Sequence, residues 1–191
     1  MVTPAPHHRF TFAEYCALVD DKGMKLEFLD GQVWAMSGGT PEHARVTTNI
    51  STLLSGALRG RPCAVYSPDL RVRSQTTGLG TYADVTVICG ELQLDPEDPK
   101  RHTALNPWVI VEVLSPSTEE YDRGAKLEHY RTIPSLREVI LVAHDKREVE
   151  LFRREEDGTW SRRVVADDGV LECEALGVAL PLADVYRDPF A

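Results

Sequence analysis

Apolar positions along this chain follow two rhythms, and each rhythm predicts an element. Between Thr40 and Gly60 they recur at steps of three and four, through Val46, Ile50, Leu53, Leu54, Ala57 and Leu58. That is the stripe of an amphipathic helix. Thr40 suits its N-cap, Pro41 its first position and Glu42 its positive end. Trp108-Val109-Ile110-Val111-Glu112-Val113-Leu114 is apolar throughout except at Glu112, which predicts a strand buried on both faces. Asp84 to Cys89 and Glu138 to Ala143 read as further core strands, as does Cys63 to Tyr66, with Leu70 to Arg73 as its continuation. Asp122 to Arg131 reads as a helix closed by Ile133-Pro134.

The ends of the chain are simpler. Thr11-Phe12-Ala13-Glu14 is a capping box that opens a short helix ending near Asp20. Lys25 to Leu29 and Gln32 to Met36 flank Asp30-Gly31, a two-residue hairpin signal. Glu148 to Arg153 and Trp160 to Val165 read as an antiparallel pair with one wet face, and the tail from Leu180 carries little pattern beyond a short docking segment. Glu91 to Asn106, acidic and Pro-bearing, reads as an exposed excursion. Without its ends the order is helix, three strands, helix, strand, which predicts an α/β sandwich with a mixed sheet. The 191 residues fit one domain, 1–191, and no repeat or linker divides them.

Composition narrows the function. The chain is 42% apolar and 27% charged, as soluble globular proteins are. No run is long enough to span a bilayer and Met1 to His8 lacks a signal-peptide core, so a cytoplasmic location is expected. Cys16, Cys63, Cys89 and Cys173 are widely spaced, and free buried thiols are expected of them rather than zinc ligands or disulfides. A net charge of −9 argues against a broad nucleic-acid face. Local basic clusters at Arg59, Arg61, Arg71 and Arg73, and at Arg153, Arg154, Arg162 and Arg163, are equally well ordinary solvated faces.

Chemistry concentrates at two acids. A carboxylate at Glu112 loses its hydration unless a cation or donors replace the water. Asp84, in Tyr82-Ala83-Asp84-Val85-Thr86-Val87-Ile88, is placed similarly. Two carboxylates on two core strands suggest a divalent metal site. Each also has a structural reading: Asp84 as a strand start, Glu112 as the partner of a buried arginine. The six histidines include no H-E-x-x-H, and neither a nucleophile elbow nor a Walker loop is present.

These residues, in this order, resemble the restriction-endonuclease-like superfamily named for its PD-(D/E)XK motif, and more closely its bacterial Uma-two family. The stretches that carry the likeness are Lys25 to Gly31, Pro41-Glu42-His43, Tyr82-Ala83-Asp84-Val85, Val111 to Thr118, and Asp122 through Lys126 to Tyr130. Together they cover about residues 10–185. The resemblance implies a restriction-endonuclease-like α/β/α sandwich with a central mixed β-sheet and an αβββαβ core. It also implies an endonuclease that hydrolyses DNA with Mg²⁺, or Mn²⁺ as substitute, at Asp84, Glu112 and the Val113 carbonyl. A homodimer is the expected form, since many nucleases of this fold cut two strands as dimers.

The match departs from the motif at one point of consequence. Leu114 stands where the motif places lysine, and Lys126 on the following helix is the candidate replacement, although such a lysine also reads as a solvated surface residue. Ala83 replaces the motif proline, which performs no chemistry. Pro68-Asp69 offers a literal Pro-Asp in a turn-like stretch and is the weaker candidate. Glu42 and His43 are accessory candidates, although Glu42 is accounted for by its place at a helix N-terminus. Glu27, before the hairpin turn, reads as structural. The missing lysine and the acidity favour an alternative: a weak or inactive nuclease-fold module used for binding or assembly.

Overall fold

The computed structural model describes residues 8–36 and 38–190. The N-terminal stretch read for a leader lies, up to residue 7, outside them, as does Ser37. Among the described residues no helix is long and apolar enough to cross a membrane.

The centre is a six-stranded mixed sheet, whose strands lie in the order β11-β10-β9-β8-β6-β3. These are β3 (Cys63–Tyr66), β6 (Val85–Cys89), β8 (Val109–Val113), β9 (Glu138–Val142), β10 (Glu148–Arg154) and β11 (Trp160–Ala166). Only β8 and β9 pair in parallel within it. Helix α2 (Pro41–Ala57) covers one face, setting Val46, Ile50 and Leu54 against Val85, Val87, Val109, Val111 and Val113. The opposite face carries Ile110, Leu114 and Leu141 beneath Leu127, Tyr130, Ile133 and Leu136 of α4 (Leu127–Arg131) and the turn after it. Side chains alternate along a strand. Glu112 therefore shares its face with Ile110 and Leu114 and looks toward α4. The result is an α/β/α sandwich with the expected αβββαβ core.

A five-stranded second sheet, β2-β1-β5-β4-β7, flanks the first. The hairpin of β1 (Leu26–Leu29) and β2 (Gln32–Ala35) forms one end, turning at Asp30 and Gly31, both at positive φ. Helix α1 (Phe12–Lys22) packs Phe12, Tyr15 and Val19 against Leu26 and Phe28. Its capping box is present, and the helix runs to a left-handed Gly23, slightly beyond Asp20.

Several expectations need correction. Leu70 to Arg73 does not continue β3: after a turn at Pro68–Asp69 it forms β4 (Arg71–Arg73) in the flanking sheet. Residues 80–82 form an unanticipated strand, β5 (Gly80–Tyr82), so Asp84 occupies the junction between two sheets, one residue before β6. The helix expected from Asp122 begins earlier, as α3 (Glu119–Tyr121), and passes through a kink at the non-helical Gly124 into α4. The tail forms a two-stranded sheet, β12 (Val170–Cys173) with β13 (Val178–Pro181), and a short helix α5 (Leu182–Val185).

Charge and cysteine also depart from expectation. The 91–106 excursion includes the short β7 (Thr103–Ala104) and turns two acids inward. Buried Asp98 pairs with buried Arg71 at 3.2 Å, and buried Asp95 with Arg73 at 2.8 Å. The acidic and basic clusters are thus partners of one another, and neither arginine belongs to a basic surface. Cys63 and Cys89, opposite each other on β3 and β6, form a disulfide rather than remaining free, whereas Cys16 and Cys173 are buried thiols.

Candidate functional site

Where the two sheets meet, they border a cleft of about 1010 Å³. Asp84, Glu112, Val113, Lys126, Asp122, His43 and Glu27 all line it. Strand β6 ends before it reaches Val113, so the Val113 N–H has no ladder partner on that side. Asp84 Oδ2 accepts it at 2.7 Å. In return the Asp84 N–H approaches Glu112 Oε2 at 3.4 Å, a long contact. These two bonds hold the acids side by side.

Each acid has one oxygen committed to the protein. Asp84 Oδ2 also faces His43 Nε2 at 3.1 Å. Glu112 Oε1 accepts from the Tyr130 hydroxyl at 2.5 Å and lies 2.8 Å from Lys126 Nζ. Asp84 Oδ1 has no hydrogen-bond partner among the described residues, and Glu112 Oε2 has only the long one. Those two oxygens remain for a ligand.

Lys126 is not a solvated surface residue. It is 4% exposed, as is Glu112, and its ammonium also lies 3.3 Å from Asp122 Oδ1. Asp122 and Lys126 lie on either side of a kink at Gly124, and both side chains are buried. Burial alone would lower the lysine pKa, but Glu112, Tyr130 and Asp122 around it hold the ammonium protonated. Burial pushes the Glu112 carboxyl up to about 8, against the pull of Lys126 and with Asp122 and Asp84 adding to the rise. The His43 imidazole is raised by its bond to Asp84, against burial, with the charges of Asp84 and Glu112 and the Val113 backbone assisting.

Among the sequence candidates, Asp84, Glu112, Val113, Lys126 and His43 converge. His43 gets there because α2 starts beside the acids, and because Gly39 leaves it room. A Cβ on Gly39 would lie 2.5 Å from His43 Nδ1. Glu42 is exposed and outside the cleft, with its carboxyl lowered by helix N-terminal hydrogen bonds from its own backbone and Thr40. Asp69 is exposed and paired with Lys25 at 2.9 Å. Glu27 is more than a turn residue: it accepts from Thr81 Oγ1 at 2.6 Å and from the Tyr121 hydroxyl at 2.5 Å on the cleft wall. An acid within Leu26-Glu27-Phe28-Leu29 was the available signal, since β1 is otherwise apolar.

The donor set can be tested against a divalent ion. Among the described residues no three His, Cys, Asp or Glu side chains form a ready ligand cluster. Mg²⁺ does not need one, because it commonly takes one or two carboxylates and keeps several waters. The free oxygens of Asp84 and Glu112 fit that requirement. The cleft also holds four acidic side chains against two lysines and one histidine, and Lys25 is already paired with Asp69 outside the group. A cation of charge two suits this balance.

Comparisons with known proteins give the chain a family and a fold. The family model Uma2, described as "Putative restriction endonuclease", matches residues 12–183. The chain belongs to this family. Two relatives from Synechocystis carry no assigned activity. One, "Uncharacterized protein slr1290", is 34% identical, over 96% of this chain and 94% of its own. The other, "Uncharacterized protein sll1609", is 31% identical over 84% and 89% respectively. Among solved structures, one described as a putative nuclease belonging to DUF820, from Anabaena variabilis, superposes with a TM-score of 0.68. That match covers 84% of this Uma2 chain and 89% of the other at 14% identity, so what it shows is a shared nuclease-like fold.

Proposed function

We propose that the protein is a metal-dependent endonuclease acting on DNA, with Asp84 and Glu112 as the carboxylate ligands of Mg²⁺. The observation that carries this reading is the adjacent pair of core acids, each with one oxygen tied to the protein and one left over. The Val113 carbonyl is the proposed third ligand, since the Val113 backbone already faces Asp84 and His43. When bound, the ion would lower the pKa of a coordinated water and neutralise charge on the attacked phosphate.

The chain's own groups have distinct tasks in this account. Asp84 is held by the Val113 N–H, so its free oxygen keeps a fixed direction. Tyr130 does the same for Glu112. Lys126, on α4's side of the sheet, supplies the positive charge that the motif places two residues after the second acid, and steadies charge developing on phosphate. His43 donates to Asp84 and sets the ligand's orientation from the α2 side.

Plasmid cleavage tests the reading. Supercoiled DNA with Mg²⁺ or Mn²⁺ is expected to be nicked or linearised by wild type, and not by Asp84→Ala or Glu112→Ala. Chelator should stop the reaction. If both variants cut like wild type, the site assignment fails. If wild type cuts nothing under either metal, the inactive binding or assembly module becomes the better account. One observation leans that way: the Lys126 ammonium is already engaged by Glu112 and Asp122.

A further inference from the structure

The cleft has a second wall that the chemistry above does not use. Strand β2 is the outer edge of the flanking sheet, and Trp34 on it is 45% exposed. In the hairpin register Trp34 lies directly opposite Glu27, so both project from one face. Glu27 accepts from the hydroxyl of Tyr121, which is 36% exposed. Trp34, Glu27 and Tyr121 all line the same cleft as Asp84 and Glu112, with Leu29 and Met24 beside them. Two open aromatic rings thus flank one anchored carboxylate at the mouth of the site.

Charge decides what such a wall can hold. No arginine lines the cleft among the described residues, and its two lysines are engaged, Lys25 by Asp69 and Lys126 by Glu112 and Asp122. Duplex DNA is held mainly through many phosphate contacts from basic side chains. This cleft cannot supply them. Aromatic stacking adds affinity of its own for unpaired bases, because every base presents a π-face. The anchored Glu27 adds an acceptor for the amino groups that adenine, cytosine and guanine expose when unpaired.

We propose that Trp34 and Tyr121 form a stacking platform for an unpaired base, so that the protein acts on single-stranded or locally melted DNA rather than on perfect duplex. The proposal rests on the nuclease reading for the reaction but not for the binding. Trp34 is then a specificity determinant.

The test has two parts. In EDTA, where no cleavage occurs, a dT oligonucleotide should quench the tryptophan emission of wild type, and Trp34→Phe should lose that component. With Mn²⁺, single-stranded circles should be cut at least tenfold faster than relaxed linear duplex. Trp34→Ala should raise KM for the single strand about tenfold, with kcat little changed, and Trp34→Phe should restore most of it. Quenching without any cleavage would keep the platform and remove the nuclease reading. Equal cleavage of single strand and duplex, with Trp34→Ala indistinguishable from wild type, would overturn the platform and leave the nuclease standing. Should Trp34→Ala fail to fold, the substrate preference and the Trp34→Phe quenching still decide.

Discussion

Glu112 and Lys126 are each buried; the lysine keeps its charge, while burial makes the glutamate hold its proton up to about pH 8. With Glu112 raised to about 8, an ion entering at neutral pH must displace its proton. Metal affinity and cleavage should therefore rise between about pH 6 and 8 and level off above. A profile that is flat across that window would contradict the Glu112 assignment. The sign for stability is opposite in the metal-free protein. An acid whose folded pKa is raised favours the fold below its ordinary range, and that contribution is lost as pH climbs toward 8. Lys126→Ala leaves Glu112 and Asp122 buried without their cation, a kind of change that costs about 3–5 kcal/mol. The variant should melt earlier than wild type at pH 8, and by a smaller margin at pH 6, where Glu112 takes a proton. Equal melting at both pH values would put Lys126 outside the buried network. A lysine among charged neighbours on a helix reads as solvated, and nothing local reveals otherwise, because its partner Glu112 is on another element. Glu112 itself was legible, as the lone acid in an apolar run. Glu27 carried the same kind of signal in Leu26-Glu27-Phe28-Leu29, but its partners Thr81 and Tyr121, 54 and 94 residues away, were not legible.

Elements set by local signals, such as α2 with its Thr40 cap and the Asp30–Gly31 hairpin, agree with the sequence reading. Those set by distant pairing do not. Strand β5 is only Gly80–Tyr82, too short to show a period, and exists because β1 and β4 flank it. The 91–106 segment turns inward because Arg71 and Arg73 await its acids, a match that no local pattern displays. The Cys63–Cys89 bridge likewise follows from β3 and β6 being neighbours. It closes a span of 26 residues, worth up to about 3.5 kcal/mol in the loop-closure model. It joins the far end of β6 from Asp84, roughly 16 Å away at about 3.3 Å per residue. Reduction should lower the thermal midpoint by several degrees and leave cleavage rates within about twofold. Loss of activity on reduction without a change in melting would mean that the bridge, or another thiol, acts on the site directly.

At the scale of the whole molecule, a net charge of −9 goes with a cleft whose acids outnumber its bases. Such a site attracts a divalent cation before it attracts a phosphodiester, and the account stands on that ion being held by Asp84 and Glu112. The most direct measurement is anomalous scattering from crystals soaked in Mn²⁺. A single strong peak in the cleft is expected, 2.0–2.6 Å from one oxygen of each acid, with Lys126 still beside Glu112. A peak elsewhere, or none at saturating Mn²⁺ with both acids still bound only to their protein partners, would contradict it.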